Sequence, residues 1–205
     1  MSFPQASFYG ILDTGYVLRE HCLEKCKALI AGGAGVVQLR AKKQSRDERR
    51  DILQEILPLF ESGAVPLILN DDLELALEFP IVGLHVGQDD IPIEEAREAL
   101  GANRYLGLST HSPDQAAGAL DRAHLLDYFA VGPVFATQTK PDYIPVGLEL
   151  VKHVASLNPP LPWYCIGGIS RSNCNQVKAA GAKGLVAVSD VLCADDTAAA
   201  VGEYV

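Results

Sequence analysis

Hydrophobic positions along this chain follow two alternating rhythms. Eight short runs are almost continuously apolar and rich in β-branched residues, at 7–12, 35–40, 65–70, 81–86, 104–109, 126–131, 161–166 and 184–189. Runs of that length suit strands buried on both faces, the pattern of a parallel sheet. Between them the apolar spacing widens to three and four, the period of a helix face. Residues 18–31 place Leu23, Cys26, Ala28, Leu29 and Ile30 on or near one side, and 47–61 does the same with Ile52, Ile56, Leu57 and Phe60. Further helices are predicted at 72–79, 93–100, 113–123, 147–157, 172–180 and 194–202. Ser112 before Pro113 reads as a cap followed by proline at the first helical position. Gly101 and Gly181 read as helix ends.

Strand then helix, eight times at about 25 residues per unit, predicts an α/β protein of the (β/α)8 TIM barrel class, near the lower end of its size range. No low-complexity linker or compositional shift divides the sequence, so residues 1–205 are read as a single barrel domain. A doubly wound open sheet is the architectural alternative, but eight units of one rhythm favour closure.

Composition adds boundaries. The 205 residues are 48% hydrophobic, ample for a packed core. Mean hydropathy is +0.12, and no apolar stretch is long enough to cross a membrane. The sequence opens without a basic-then-apolar leader, and its five cysteines form no CxxC pair. Reduced thiols in the cytoplasm are therefore expected. Cys22 and Cys26, four apart on a predicted helix, are read as packing residues. A net charge of −9 argues against nucleic acid as a partner. An anionic small-molecule substrate would need a local cluster of donors, or a metal.

In a barrel, active-site groups belong at the C-terminal ends of strands, and there the polar residues gather. The second strand ends in Gln38, Arg40 and Lys42, whose alternation turns them to one side in extended chain. Arginine grips two phosphate oxygens at once and lysine adds a point charge. The third and fourth strands run into Asn70-Asp71-Asp72 and Gln88-Asp89-Asp90, carboxylates that suit one hard cation such as Mg²⁺. Helix capping is the competing explanation, favoured for Asp72 and Asp89; metal binding is favoured for Asp71 and Asp90. The fifth strand ends in Ser109 and His111, and His85 lies in the fourth. The stretch VGPVFATQTKPDY at 131–143 ends a strand and then sets Thr137, Thr139 and Lys140 together, more than a plain turn requires. Gly167-Gly168 after the seventh strand lets backbone N–H groups approach an anion. Val188-Ser189 after the eighth can open a short helix whose start favours phosphate. A diphosphate among Arg40, Lys42, Lys140 and metal, and a monophosphate at Gly168 and Ser189, is the reading these residues support.

The same residues resemble the thiamine phosphate synthase family. The matching segments are VQLRAK at 37–42, NDD at 70–72, GLHVGQDD at 83–90, GLSTH at 107–111, DYFAVGPVFATQTK at 127–140, IGGI at 166–169 and VAVS at 186–189, across nearly the whole chain. The resemblance implies a transferase that joins hydroxymethylpyrimidine diphosphate to thiazole phosphate carboxylate or its tautomer. The products would be thiamine phosphate and pyrophosphate, with carbon dioxide from the carboxylate form, by a Mg²⁺-assisted dissociative route. It implies contact of Gln38, Arg40, Lys42, Asn70 and Lys140 with the pyrimidine diphosphate, Ser109 nearby, and Mg²⁺ at Asp71 and Asp90. Thr137, Thr139, Gly168, Val188 and Ser189 would line the thiazole phosphate side. Arg40, Lys42 and Lys140 are the expected catalytic cations. Relatives of this kind are commonly dimers, so a homodimer is expected.

Two positions depart from the pattern. Ala136 stands where many relatives have proline, and Leu12 to Gly15 only partly matches the usual Thr-Asp, which leaves Asp13 outside the expected site. A thiazole tautomerase-like isomerase, with His111 as proton carrier, is the closest alternative. A sugar-phosphate epimerase would explain Gly168 and Ser189 but not the cationic segments. A non-catalytic thiamine-phosphate binding protein is the non-enzyme alternative.

Overall fold

The structure is a computed structural model that describes residues 3–137 and 144–205. Eight strands are all parallel and lie in chain order: β1 (Tyr9–Asp13), β2 (Val36–Arg40), β3 (Leu67–Asn70), β4 (Val82–Val86), β5 (Leu106–Thr110), β6 (Tyr128–Val131), β7 (Trp163–Cys165) and β8 (Gly184–Leu185). Phe8 bridges to Leu185, and the Leu185 N–H donates to the Ser7 carbonyl at 2.9 Å, so the last strand returns to the first. The sheet is a (β/α)8 barrel, not a doubly wound sheet.

Helices α1 (Cys22–Ala31), α2 (Arg46–Ile56), α3 (Leu73–Leu77), α4 (Ile93–Leu100), α5 (Pro113–Asp121), α6 (Gly147–Ser156), α7 (Cys174–Ala179), α8 (Ser189–Leu192) and α9 (Thr197–Gly202) follow the strands. Ser45 and Glu48 form a capping box at the start of α2, and the Ser112 hydroxyl accepts the Gln115 N–H at the start of α5. The predicted helices at 18–31 and 47–61 are each part 3-10, at Arg19–His21 and Leu57–Phe60. The eighth strand is shorter than its apolar run, because the chain turns into α8 at Ser189. Cys22 and Cys26 are buried on α1, and burial pushes their thiols up to about 11 and about 12. They pack, as read from the sequence.

Strand alternation sorts the core into two layers. Along β1 and the residue before it, Phe8 and Leu12 face the helices while Tyr9 and Ile11 face the barrel axis. On β2, Val37 and Leu39 point outward and Val36 inward, so Gln38 and Arg40 share the inward parity. The interior is unusually aromatic at its N-terminal end. Phe3 stacks on Tyr128 with ring centroids 4.2 Å apart, and Tyr9 and Tyr164 meet edge to face at 5.2 Å. The Tyr164 hydroxyl donates to the Pro4 carbonyl at 2.8 Å. The segment before β1 thus stoppers the barrel and leaves its other end as the mouth.

Glycine in β5 makes this packing fit. A Cβ on Gly107 would lie 2.1 Å from Cζ of Tyr128, inside the ring's own volume. The Tyr128 ring has no room to retreat among Phe3, Tyr9 and Tyr164. Gly107→Ala is therefore expected to lower stability by about 1–3 kcal/mol, the usual cost of overpacking. Urea unfolding reads it directly; a midpoint equal to the parent's would show that the interior yields around Tyr128.

Candidate active site

The inward parity of each strand delivers its last polar residue to the barrel mouth. Gln38 pairs in register with Ile11, and Asn70 with His85, which in turn pairs with Gly107. Gln38, Arg40, Asn70, His85 and Ser109 consequently line one side of an open cavity of about 930 Å³, solvent at its mouth included. Thr137, Gly168, Val188 and Ser189 line the other. Eight residues expected at the site from the sequence thus share one cavity. Lys42, Asp71 and Asp90 are not among its lining residues. Thr139 and Lys140 lie outside the described residues.

Arg40 is held by a residue that the sequence reading left out. Its Nη1 lies 2.6 Å from Oδ2 of Asp13, whose side chain is only 3% exposed, while the other carboxylate oxygen accepts the Gly15 N–H at 2.8 Å. Asp13 and Arg40 are register partners at the ends of β1 and β2. With one Nη engaged, the rest of the guanidinium fork remains available to an anion in the cavity. The parity of Tyr9, Ile11 and Asp13 was the signal for this pair.

The acidic loop after β3 divides its work. Asp72 caps α3 by accepting the Leu75 N–H at 3.0 Å and pairs with Arg49 at 3.1 Å, so its capping role holds. Asp71 instead adopts φ 66, a left-handed conformation sparsely used outside glycine, asparagine and aspartate. Its N–H donates to the His85 carbonyl at 2.9 Å, and its carboxylate meets Lys42 Nζ at 3.1 Å. On the next loop, Asp90 accepts the Gly87 N–H at 2.6 Å, committing one oxygen to its own turn. Among the described residues no three His, Cys, Asp or Glu side chains converge as a metal cage. Asp71 and Asp90, on neighbouring loops, are the residues that would hold Mg²⁺, a cation that takes one or two protein carboxylates.

On the opposite wall, Gly167 and Gly168 take φ 99 and 62, and a Cβ on Gly168 would lie 2.5 Å from the Ala136 carbonyl oxygen. Only glycine lets this turn pass so close beneath the loop after β6. Asn173 fixes it by donating to the Gly168 carbonyl at 2.9 Å. Ser189 opens α8, as expected. The neighbouring carboxylate, Asp190, is drawn off by Arg171 at 2.9 Å and by the Tyr204 hydroxyl at 2.7 Å.

A chain of hydrogen bonds crosses the floor of the cavity. Gln38 Nε2 donates to the Tyr9 hydroxyl at 2.8 Å, which lies 2.8 Å from the Tyr128 hydroxyl. Tyr128 is 3.0 Å from His85 Nδ1, and His85 Nε2 is 2.9 Å from Ser109 Oγ. Burial pushes the Tyr9 and Tyr128 phenols far above their ordinary range, so both stay protonated. Tyr9 and Tyr128 went unremarked in the sequence because an aromatic inside an apolar run looks like packing. His111 also lines the cavity, with Nδ1 bonded to the Gly132 carbonyl.

These features define a class: a (β/α)8 barrel with a cavity at its C-terminal strand ends, where active sites of such barrels lie, lined by Arg40 and a few uncharged polar side chains among apolar ones. Comparison supplies the family. The thiamine monophosphate synthase family matches residues 8–191. The thiamine-phosphate synthase of Pelotomaculum thermopropionicum is 38% identical over 96% of this chain and 89% of its own length. That of Chloroflexus aurantiacus is 40% identical over 94% and 88%. The solved thiamine phosphate pyrophosphorylase of Pyrococcus furiosus, 28% identical, aligns with a TM-score of 0.85 over 98% of this chain and 94% of that one. The chain belongs to the thiamine monophosphate synthase family and is a transferase of thiamine biosynthesis.

The Asp13–Arg40 pair yields a stability prediction. Removing one partner of a buried pair strands the other, and because Arg40 still reaches the cavity, Asp13→Ala is expected to cost about 2–3 kcal/mol. Asp13→Asn, which keeps an acceptor for Gly15, should lose less. Urea unfolding of both variants tests this; a parent-like midpoint for Asp13→Ala would mean the pair contributes nothing.

Proposed function

We propose that the chain couples hydroxymethylpyrimidine diphosphate to thiazole phosphate, in its carboxylate or tautomeric form, giving thiamine phosphate and pyrophosphate, with carbon dioxide released from the carboxylate form. The observation that carries this reading is the two-sided cavity. Gln38, Arg40, Asn70 and Ser109 face Thr137, Gly168, Val188 and Ser189 across one space, so a diphosphate ester on one wall and a phosphorylated heterocycle on the other can meet within it.

In this reading Arg40 and Lys42 take the diphosphate, with Lys140 joining them from the loop after β6. Asn70 and Gln38 orient the pyrimidine side, and Ser109 donates to it. The Gly168 turn and Ser189 take the thiazole phosphate, and Thr137 stands between the two substrates. The bond from the pyrimidine methylene carbon to the diphosphate oxygen breaks first, and the thiazole nitrogen then captures the resulting cation. Such a route needs charge stabilisation on the leaving group rather than a strong base, a part that Arg40 in the cavity wall suits. Asp71 and Asp90 would hold Mg²⁺, whose charge, when bound, offsets that of the departing diphosphate. Lys42 would then be shared between Asp71 and the diphosphate.

The test mixes purified protein with hydroxymethylpyrimidine diphosphate, thiazole phosphate and Mg²⁺, and measures thiamine phosphate with and without EDTA. Product that EDTA abolishes is expected. Asp71→Ala should lower kcat/KM by about 10- to 100-fold, the worth of one charge-assisted contact. Folded protein that makes no thiamine phosphate but interconverts thiazole tautomers would replace this reading with the isomerase.

A further inference from the structure

We infer that Tyr128 is a positioning residue: by donating to His85 Nδ1 it fixes the imidazole as the Nε2–H tautomer and thereby turns the Ser109 hydroxyl proton into the cavity. The inference follows from counting protons along the chain of hydrogen bonds. Each phenol has a single proton to give. The Tyr9 oxygen already accepts from Gln38 Nε2, so its own proton needs an acceptor, and the one its hydrogen bonds provide is the Tyr128 oxygen at 2.8 Å. Tyr9 is 2% exposed, and leaving that proton unmatched at such a site is costly. Tyr128 therefore cannot donate back to Tyr9. Its proton goes on to His85 Nδ1, 3.0 Å away.

A ring nitrogen that accepts carries no proton, so neutral His85 carries its proton on Nε2. That N–H donates to Ser109 Oγ at 2.9 Å. Ser109 is then an acceptor towards the protein and keeps its own proton for the cavity it lines. Gln88 holds the Ser109 backbone from the other side, its Nε2 donating to the Ser109 carbonyl at 2.6 Å. The opposite direction of donation would turn the Ser109 proton towards His85 and leave only lone pairs facing the substrate. A hydroxyl that must meet a diphosphate ester has to donate, so the buried tyrosine pair decides whether Ser109 is useful. The part played by Ser109 rests on the synthase reading; the tautomer of His85 does not.

Nitrogen-15 NMR of imidazole-labelled, unliganded full-length protein at neutral pH reads the tautomer. The expected spectrum has a protonated Nε2 and an unprotonated Nδ1 at His85; a proton on Nδ1, or an imidazolium, overturns the inference. Tyr128→Phe should give a mixture of tautomers, and an unchanged Nε2–H signal would remove Tyr128 from the role. In turnover, Tyr128→Phe should lower kcat about tenfold with KM nearly unchanged, yet cause no further loss in a Ser109→Ala background. Equal losses in both backgrounds would mean that Tyr128 acts through packing alone. Should Tyr128→Phe fail to fold, the parent spectrum still decides. A parent with the Nε2–H tautomer and no thiamine phosphate product would support the hydrogen-bond chain and overturn the synthase reading.

Discussion

Every inward side chain of a closed parallel barrel must be satisfied within the barrel, because the sheet has no edge and water enters only at the mouth. Here that constraint produces a gradient along the axis. Phe3, Tyr9, Tyr128 and Tyr164 fill the stoppered end with rings. Above them Gln38, His85 and Ser109 are polar but matched to one another or to the phenols. At the mouth stand groups with bonding capacity to spare, Arg40 and Asn70 among them. The site is thus the top of the core, and its polar floor exists because the aromatic layer beneath supplies hydroxyls at the right height.

Charge follows a related logic. The chain carries a net charge of −9, yet the guanidinium of Arg40 lines its cavity. The protein manages this by giving the cations near the mouth their own carboxylates: Asp13 for Arg40, Asp71 for Lys42, Asp190 for Arg171. These pairs differ in kind. Asp13–Arg40 is nearly closed off and holds the guanidinium in place. Lys42 and Asp71 are 51% and 28% exposed, a looser contact that an incoming anion or cation can reorganise at little cost. Arg40 at the end of β2 is thus held firmly, and Lys42 two residues further on is held loosely.

Much of this was legible in the sequence, and the failures are physical. Buried parallel strands announce themselves as apolar runs, so all eight were found, and β8 was overread only because Val186 and Ala187 remain buried after the strand pairing ends. The 3-10 turns at Arg19–His21 and Leu57–Phe60 share their apolar spacing with the adjoining helices, so periodicity cannot separate them. Gln38, Arg40, Asn70, Ser109 and Ser189 were legible because polar residues stand out at the end of an apolar strand, and Gly168 because paired glycines there free the backbone for close approach. Asp13 does too, but Leu12 to Gly15 was weighed as a motif match rather than by parity, which would have placed it opposite Arg40. Tyr128 gave no local signal. Its importance lies in what surrounds its hydroxyl, which comes from β1 and β4 and which no window along the chain contains.

That last case bears on how core and site should be told apart in this barrel. Gly107 sits in β5 with no side chain and is not among the residues that line the cavity. Yet its missing Cβ is what lets the Tyr128 ring lie across the strand, with its hydroxyl within reach of both Tyr9 and His85. Two residues further on in β5, Ser109 receives the other end of the same chain of bonds. A backbone position chosen for space therefore sets the hydrogen-bonding direction of a hydroxyl at the mouth, and the aromatic floor belongs to the chemistry as much as to the stability of the fold.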